Sequence, residues 1–208
     1  KNTSFEYLVI DGGSSDSSPQ IIEENKNFID VAVSEKDEGL YNAINKGIKL
    51  ASGKIIGLIH SGDTILPNAL DNLPALHQQN PDSVLYGALK AVKNGRFDSV
   101  WGFNADLLPR QMIPHLAAFV PKSVYSQYGL YNEKYKIAAD YECFLRFYKA
   151  GVSFVFYDAI VCEFNLEGVS QNKEAETAKE VEEIKKTYGV YQAPGKKQRI
   201  KAFIKRFL

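Results

Sequence analysis

The sequence has little of what builds several common protein classes. It holds two cysteines, Cys143 and Cys162. They are too few for a disulfide framework and lack metal-ligand spacing, which points to a reducing compartment. No apolar run is long enough to span a bilayer. Lys plus Arg and Asp plus Glu both number 25, so no net field calls for nucleic acid as a partner. Neither GxxxxGK nor a strand followed by GxGxxG occurs. There are no internal repeats, no low-complexity segment and no convincing linker. The chain starts at Lys1 without a signal-peptide pattern and reaches a strand four residues on, an abrupt start that predicts residues missing upstream.

What is present suits one domain: 208 residues, 45% of them hydrophobic. One charge asymmetry stands out. The tail GKKQRIKAFIKRFL carries six basic residues and no acid. Ile200, Phe203, Ile204 and Phe207 follow helical spacing, so residues 195–208 form either a basic amphipathic helix on an anionic membrane or a solvated helix packed on the domain.

The local patterns alternate. FEYLVID (5–11) reads as a strand closed by the turn-rich GGSSDSS, and a helix follows from Pro19 to about Lys26. DVAVS (30–34) is a second strand. LYNAINKGIKLAS places Leu40, Ile44, Ile48 and Leu50 or Ala51 near one helical face, and Gly53 ends that helix. KIIGLIH (54–60) reads as a buried strand. A helix is predicted from about Pro67 to Gln79, then a hairpin turning at Asn94-Gly95. Helices at Lys122–Tyr128, Asp140–Ala150 and Lys173–Tyr188, with a strand at Val152–Tyr157, complete the pattern. The expectation is a parallel α/β sheet with a mixed region behind it.

In such a sheet ligands sit beyond the carboxyl ends of strands. Asp11, Asp37 and Asp63 lie at or past three such ends and are expected to share one rim. A cap or turn role competes for each acid alone; three together favour a site. Gly12 and Gly13 beside Asp11 suit a ligand with hydroxyls and phosphates. An aspartate-nucleophile phosphatase wants a second acid two residues after the first, where this chain has Gly13.

These residues carry a resemblance. VIDGGSSDSS, then SEKDEGLYNAINKGIKLASGKIIGLIHSGD, then IPHLAAFVPKSVYSQYGLYNEKYKIAADYECFLRFYKAG, in that order, resemble the inverting family 2 glycosyltransferases of bacterial polysaccharide synthesis, colanic-acid or capsule branch. The similarity runs from about Phe5 to Ser170. It implies the GT-A fold, a Rossmann-like mixed sheet flanked by helices, in a single domain over 1–194. The nucleotide-binding part would span about 1–66 and the acceptor-binding part about 67–172. By the same resemblance Asp11 meets the donor's base, and Gly12, Asp37, Asn45 and Gly62 line the nucleotide-sugar pocket. Asp63, last in HSGD, coordinates Mg²⁺ or Mn²⁺. Asp140 in AADYE is the catalytic base, a helix N-cap being the plainer reading. His115 lies near the acceptor, a phosphate or the metal, or is a packed loop histidine. Trp101 and Tyr141 stack on sugars or pack in the core, Glu142 supports at most, and Ser170 sits in a glycine-serine loop.

The implied partners are a nucleotide sugar, commonly UDP-linked, and a glycan or lipid-linked acceptor. The implied location is the cytoplasm, held to the inner membrane face through the basic tail. Two departures stand against the family pattern. Gly62 replaces one acid of the metal motif, and the first strand-helix unit, roughly thirty residues, is missing ahead of Phe5. The chain is therefore expected to be a fragment. A non-catalytic nucleotide-sugar-binding or scaffold protein is the first rival. A sugar nucleotidyltransferase is the second, lacking here its glycine- and arginine-bearing first loop.

Overall fold

The computed structural model describes residues 5–67, 69–167 and 173–192. Ser170 and the tail 195–208, both singled out above, lie outside the described residues.

The first strand is shorter than its apolar run. β1 covers Leu8–Asp11 and pairs in parallel with β2, Val31–Ser34. Phe5 and Tyr7 remain exposed. Between the strands runs α1, Ser18–Glu24, with Pro19 in its first turn, where the missing N–H costs nothing. α2, Leu40–Leu50, buries Tyr41, Ile44, Asn45 and Ile48. Ile44, Ile48 and Ala51 face inward as expected, and Tyr41 and Asn45 join them in place of Leu40, following i, i+3, i+4, i+7. Leu40 and Leu50 are exposed.

The expected strand 54–60 forms only over Ile55–Gly57, β3. Leu58–His60 leave the ladder, and the His60 carbonyl accepts the Asp63 N–H at 3.1 Å, closing a turn. β4 follows at Thr64–Ile65, and the predicted helix 67–79 is reduced to α3, Leu73–Gln79. β5, Val84–Lys93, and β6, Arg96–Trp101, form the expected hairpin. Asn94 and Gly95 both have positive φ, +51° and +67°, matching the right-handed twist of the flanking strands. β7 (Ala118–Pro121), α4 (Lys122–Tyr128), α5 (Ala139–Lys149), β8 (Phe154–Asn165) and α6 (Glu174–Thr187) complete the described chain.

The strands do not build one parallel sheet. β1 and β2 form a two-stranded sheet of their own, while six strands form a mixed sheet ordered β3-β7-β5-β8-β4 with β6 beside β5. β3 runs antiparallel to β7, and β5 parallel to β8. Among the described residues no strand joins β1 to β3. Residues alternate across the large sheet. Val84, Tyr86, Ala118 and Val120 pack against Ile44 and Ile48 of α2 and Phe144 and Phe147 of α5. Leu85, Leu89, Phe119 and Val161 pack with Leu73 on the other face.

α5 also fixes the loop that follows α4. The Arg146 guanidinium donates to the carbonyls of Tyr128, Gly129 (3.0 Å) and Leu130 (2.6 Å) and pairs with Glu142 at 3.0 Å. Three carbonyls and a carboxylate on one planar fork set where residues 128–133 approach α2.

Candidate functional site

Asp11 ends β1 with its carboxylate turned back on the chain. It accepts the Ser14 N–H (3.2 Å) and the hydroxyls of Ser14 (2.5 Å) and Ser34 (2.6 Å). These donors, Ser14 first, hold its pKa below the ordinary carboxylate value. Glycine at 12 permits a close approach, because a Cβ there would stand 3.2 Å from Asp37 Oδ2. Asp37 Oδ1 pairs with Lys46 at 2.5 Å, and Lys46 also reaches Glu35 at 2.5 Å. Asp37 Oδ2 is buried with no hydrogen-bond donor among the described residues. A bare carboxylate oxygen beside Gly12 suits a hydrogen-bond donor brought by a ligand.

Asn45 is fully engaged. Its amide donates to the Tyr131 carbonyl (2.9 Å) and Glu133 Oε1 (2.8 Å), and its oxygen accepts the Tyr131 N–H (2.9 Å). It braces α2 against the loop that Arg146 fixes. One turn earlier, Tyr41 stacks on Tyr131, with centroids 5.6 Å apart.

Asp140 sits in the first turn of α5 and is 7% exposed. The helix N-cap is Ala138, two residues before it, so Asp140 is not the cap. Its Oδ1 accepts the Tyr141 N–H at 2.8 Å and lies 3.3 Å from the Tyr41 hydroxyl. Burial pushes its pKa up to about 6, against the lowering effect of those bonds. A carboxyl poised near neutrality, buried among partners, is what a general base requires.

His60 and His115 meet with Nε2 atoms 2.7 Å apart. Burial holds both imidazoles neutral, with pKa values of about 4. His60 also feels the charges of Asp63 and Asp140, which ties the HSGD turn to the first turn of α5. Gly62 adopts φ +91°, a conformation side chains resist, and so lets the turn deliver Asp63. Asp63 Oδ1 accepts the Asn165 N–H at 2.9 Å, and burial raises its pKa.

The sequence-predicted residues thus fall into two adjoining groups. Asp11, Gly12 and Asp37 gather with Lys46 at the end of the small sheet. Asp63, Asp140 and His115 gather around His60. Tyr41, two residues past Gly39, links the groups through α2. The shared rim expected of a single parallel sheet is replaced by this two-sheet arrangement, since β3 belongs to the mixed sheet. Trp101 packs on Phe164 with centroids 5.8 Å apart, one residue from the Asn165 amide that holds Asp63. Tyr141 is 1% exposed, and its hydroxyl reaches the Pro109 carbonyl at 3.3 Å, a core position. Glu142 serves Arg146 and accepts the Tyr188 hydroxyl.

Sequence reasoning missed Tyr41, Lys46, Ser14 and Ser34, and gave His60 no role. His60 stands inside HSGD, beside the acid already singled out, and was open to notice. A small cleft lined by Asp140, Tyr141, Met112, Val181, Arg110 and Lys185 opens beside α5.

Among the described residues no group of three or more His, Cys, Asp or Glu is arranged to hold a metal ion. Asp63 offers one carboxylate with one oxygen already bonded. That fits a hard cation taking its other ligands from water and a phosphate-bearing substrate, the habit of Mg²⁺.

Residues 1–153 match the family model described as Glycosyl transferase family 2. An uncharacterized glycosyltransferase of Mycobacterium tuberculosis is 29% identical over 189 residues, covering 82% of this chain and 67% of the relative. A PGL/p-HBAD biosynthesis glycosyltransferase of Mycobacterium bovis is 27% identical over 148 residues, covering 68% of this chain and 57% of that protein. Staphylococcus aureus TarS 1-349 in complex with UDP superposes with a TM-score of 0.68 at 18% identity, over 92% of this chain and 58% of TarS 1-349. Its complex with UDP-GlcNAc gives 0.69. This likeness shows the fold to be of the GT-A type, a curled mixed sheet flanked by helices.

Proposed function

Because the chain belongs to glycosyl transferase family 2, we propose that it moves a sugar from a nucleotide-sugar donor, UDP-linked by preference, to a hydroxyl of a glycan or lipid-linked acceptor. Inversion at the anomeric carbon and a place in bacterial surface-polysaccharide synthesis, of the colanic-acid or capsule kind, are part of this reading. The UDP and UDP-GlcNAc held by TarS support the donor class.

The observation that carries the proposal is Asp140, buried at the start of α5 with its pKa raised to about 6. Its Oδ2 has no hydrogen bond among the described residues. Asp140 takes the proton of the acceptor hydroxyl as that oxygen bonds to the anomeric carbon. The carbon–oxygen bond to the diphosphate breaks, and the nucleoside diphosphate leaves with the electron pair. Asp11 and Asp37 Oδ2 accept hydrogen bonds from the nucleoside end, and Gly12 leaves room for it. Asp63, with the donor's own phosphates, would hold Mg²⁺ or Mn²⁺, which would neutralise charge on the leaving group.

Among the described residues no helix is long and apolar enough to cross a membrane. We place the enzyme in the cytoplasm, at the inner membrane face through residues 195–208. Liposome binding that survives removal of Lys196–Leu208 would sink that placement.

The test is transfer from a panel of nucleotide sugars, with Mn²⁺ or EDTA, alongside Asp63→Ala and Asp140→Asn. Turnover with one donor, lost in EDTA and in Asp63→Ala, supports the reading. Donor binding with no turnover against any acceptor favours a non-catalytic nucleotide-sugar-binding protein, which the lone carboxylate at the metal position makes the second reading.

A further inference from the structure

The His60–His115 contact determines more than proximity. A hydrogen bond between two imidazole nitrogens 2.7 Å apart needs one Nε2–H and one bare Nε2. Each ring's second nitrogen then carries the opposite state. If His60 donates, His115 must hold its remaining proton on Nδ1. That atom is buried without a partner among the described residues, so an N–H would be sealed away unpaired. If His115 donates, its Nδ1 is a bare acceptor. An unpaired buried N–H is the rarer and costlier orphan of the two.

We infer that His115 donates from Nε2 and thereby fixes His60 as its Nδ1–H tautomer, presenting a neutral N–H donor to the diphosphate of the sugar donor beside Asp63. Several contacts support this arrangement. His115 is edge-on to Tyr131, 5.9 Å between centroids, on the loop that Asn45 and Arg146 hold. His60 is only partly buried, and its Nδ1 has no hydrogen-bond partner among the described residues. It opens the turn that carries Asp63 and is coupled electrostatically to Asp63 and Asp140. A neutral donor suits this place, because it can hold a phosphate oxygen without an ion pair that would resist product release. The diphosphate contact rests on the glycosyltransferase reading; the tautomer lock does not.

The pair is not built as a metal site. A cation between the rings would take both Nε2 lone pairs and force a proton onto His115 Nδ1. Ligating histidines hand that N–H to a carboxylate or carbonyl, and none is present here among the described residues.

Long-range ¹H–¹⁵N correlation of histidine-labelled protein reads each tautomer directly. The chain has three histidines, which leaves His77 as the internal control. The expected result at neutral pH is Nδ1–H on His60 and Nε2–H on His115. A proton on His60 Nε2 overturns the inference. Addition of UDP with Mg²⁺ is expected to move the His60 Nδ1 signal and leave His77 in place. UDP that binds by calorimetry without moving His60 overturns the diphosphate contact and leaves the family reading intact. UDP that does not bind at all overturns the donor reading and the contact with it, while the tautomer lock is judged by the spectrum of the free protein. In His115→Phe the tautomer preference of His60 is expected to vanish and turnover to fall roughly ten- to a hundredfold. His115→Gln, whose amide N–H still donates, is expected to recover most of both.

Discussion

Tyr41 and Asp140, 99 positions apart in sequence, meet at the first turn of α5. The Tyr41 hydroxyl is 2.6 Å from the Ile137 carbonyl and 3.3 Å from Asp140 Oδ1. Its single proton serves the shorter contact, so Asp140 receives only weak support from it and stays poised near neutrality. α2 thus places one hydroxyl beside the proposed base, while burial is the larger influence on it.

Asp140→Asn is expected to keep donor binding and lose transfer by roughly 10²- to 10⁴-fold. Calorimetry with UDP and a transfer assay on the same preparation separate the two effects. In the unaltered protein, transfer should rise with pH through about 6, where Asp140 ionises, and then level off. A rate independent of pH between 5 and 8 would argue against this base.

The same residue has a measurable effect on stability. Its pKa is about 6 in the folded protein against 3.8 for the free group. Folding therefore favours the protonated form. The contribution is fully present below about pH 4 and is lost as pH rises through about 6. Asp140→Asn, neutral throughout, should be more stable than the parent above pH 6 by on the order of 2–3 kcal/mol, the gain shrinking toward zero at pH 4. Urea midpoints at pH 4, 5, 6 and 7 measure it.

Tyr41→Phe removes a hydroxyl that lowers the Asp140 pKa. The acid limb of the pH–rate profile should move to higher pH, and stability should fall by about 1 kcal/mol for the lost bond to Ile137. A limb that stays in place would show that Tyr41 does not act on Asp140.

Asn45→Ala breaks three bonds to Tyr131 and Glu133 and leaves the Tyr131 carbonyl and N–H unpaired. The expected loss is on the order of 2–4 kcal/mol. Because the loop also carries the Tyr131 ring against His115, donor turnover should fall by more than the folded fraction accounts for. Thermal unfolding and kcat on folded protein distinguish the two.

Local chemistry was the readable part of this sequence. Asn94-Gly95 announced its hairpin through backbone conformations few other residues accept, and α4 and α5 appeared within one residue of their predicted bounds. β7 was not visible, since Ala118–Pro121 is a four-residue apolar run ending in proline, and its pairing with β3 and β5 comes from distant segments. That unseen strand joins β3 to β5, antiparallel to both, and so carries the Ile55–Gly57 segment of KIIGLIH into the mixed sheet. In the candidate site, Asp11, Asp37 and Asp63 stood out by their places past the ends of apolar strand segments, and Asp140 by its match to a family motif. The His60–His115 bond spans 55 positions and the Asn45 brace up to 88, distances over which spacing gives no signal.

The packing of β1 and β2 on α2 bears on how a ligand at their ends would be held. A two-stranded ribbon of four-residue strands is marginal by itself. Here it leans on α2, where Gly47 lets Ile10 come close enough that an added Cβ would stand 3.3 Å away. A ligand held by Asp11 and Asp37 would rest on strands that α2 supports, so its affinity would track how firmly they are docked on α2 as much as the contacts it makes.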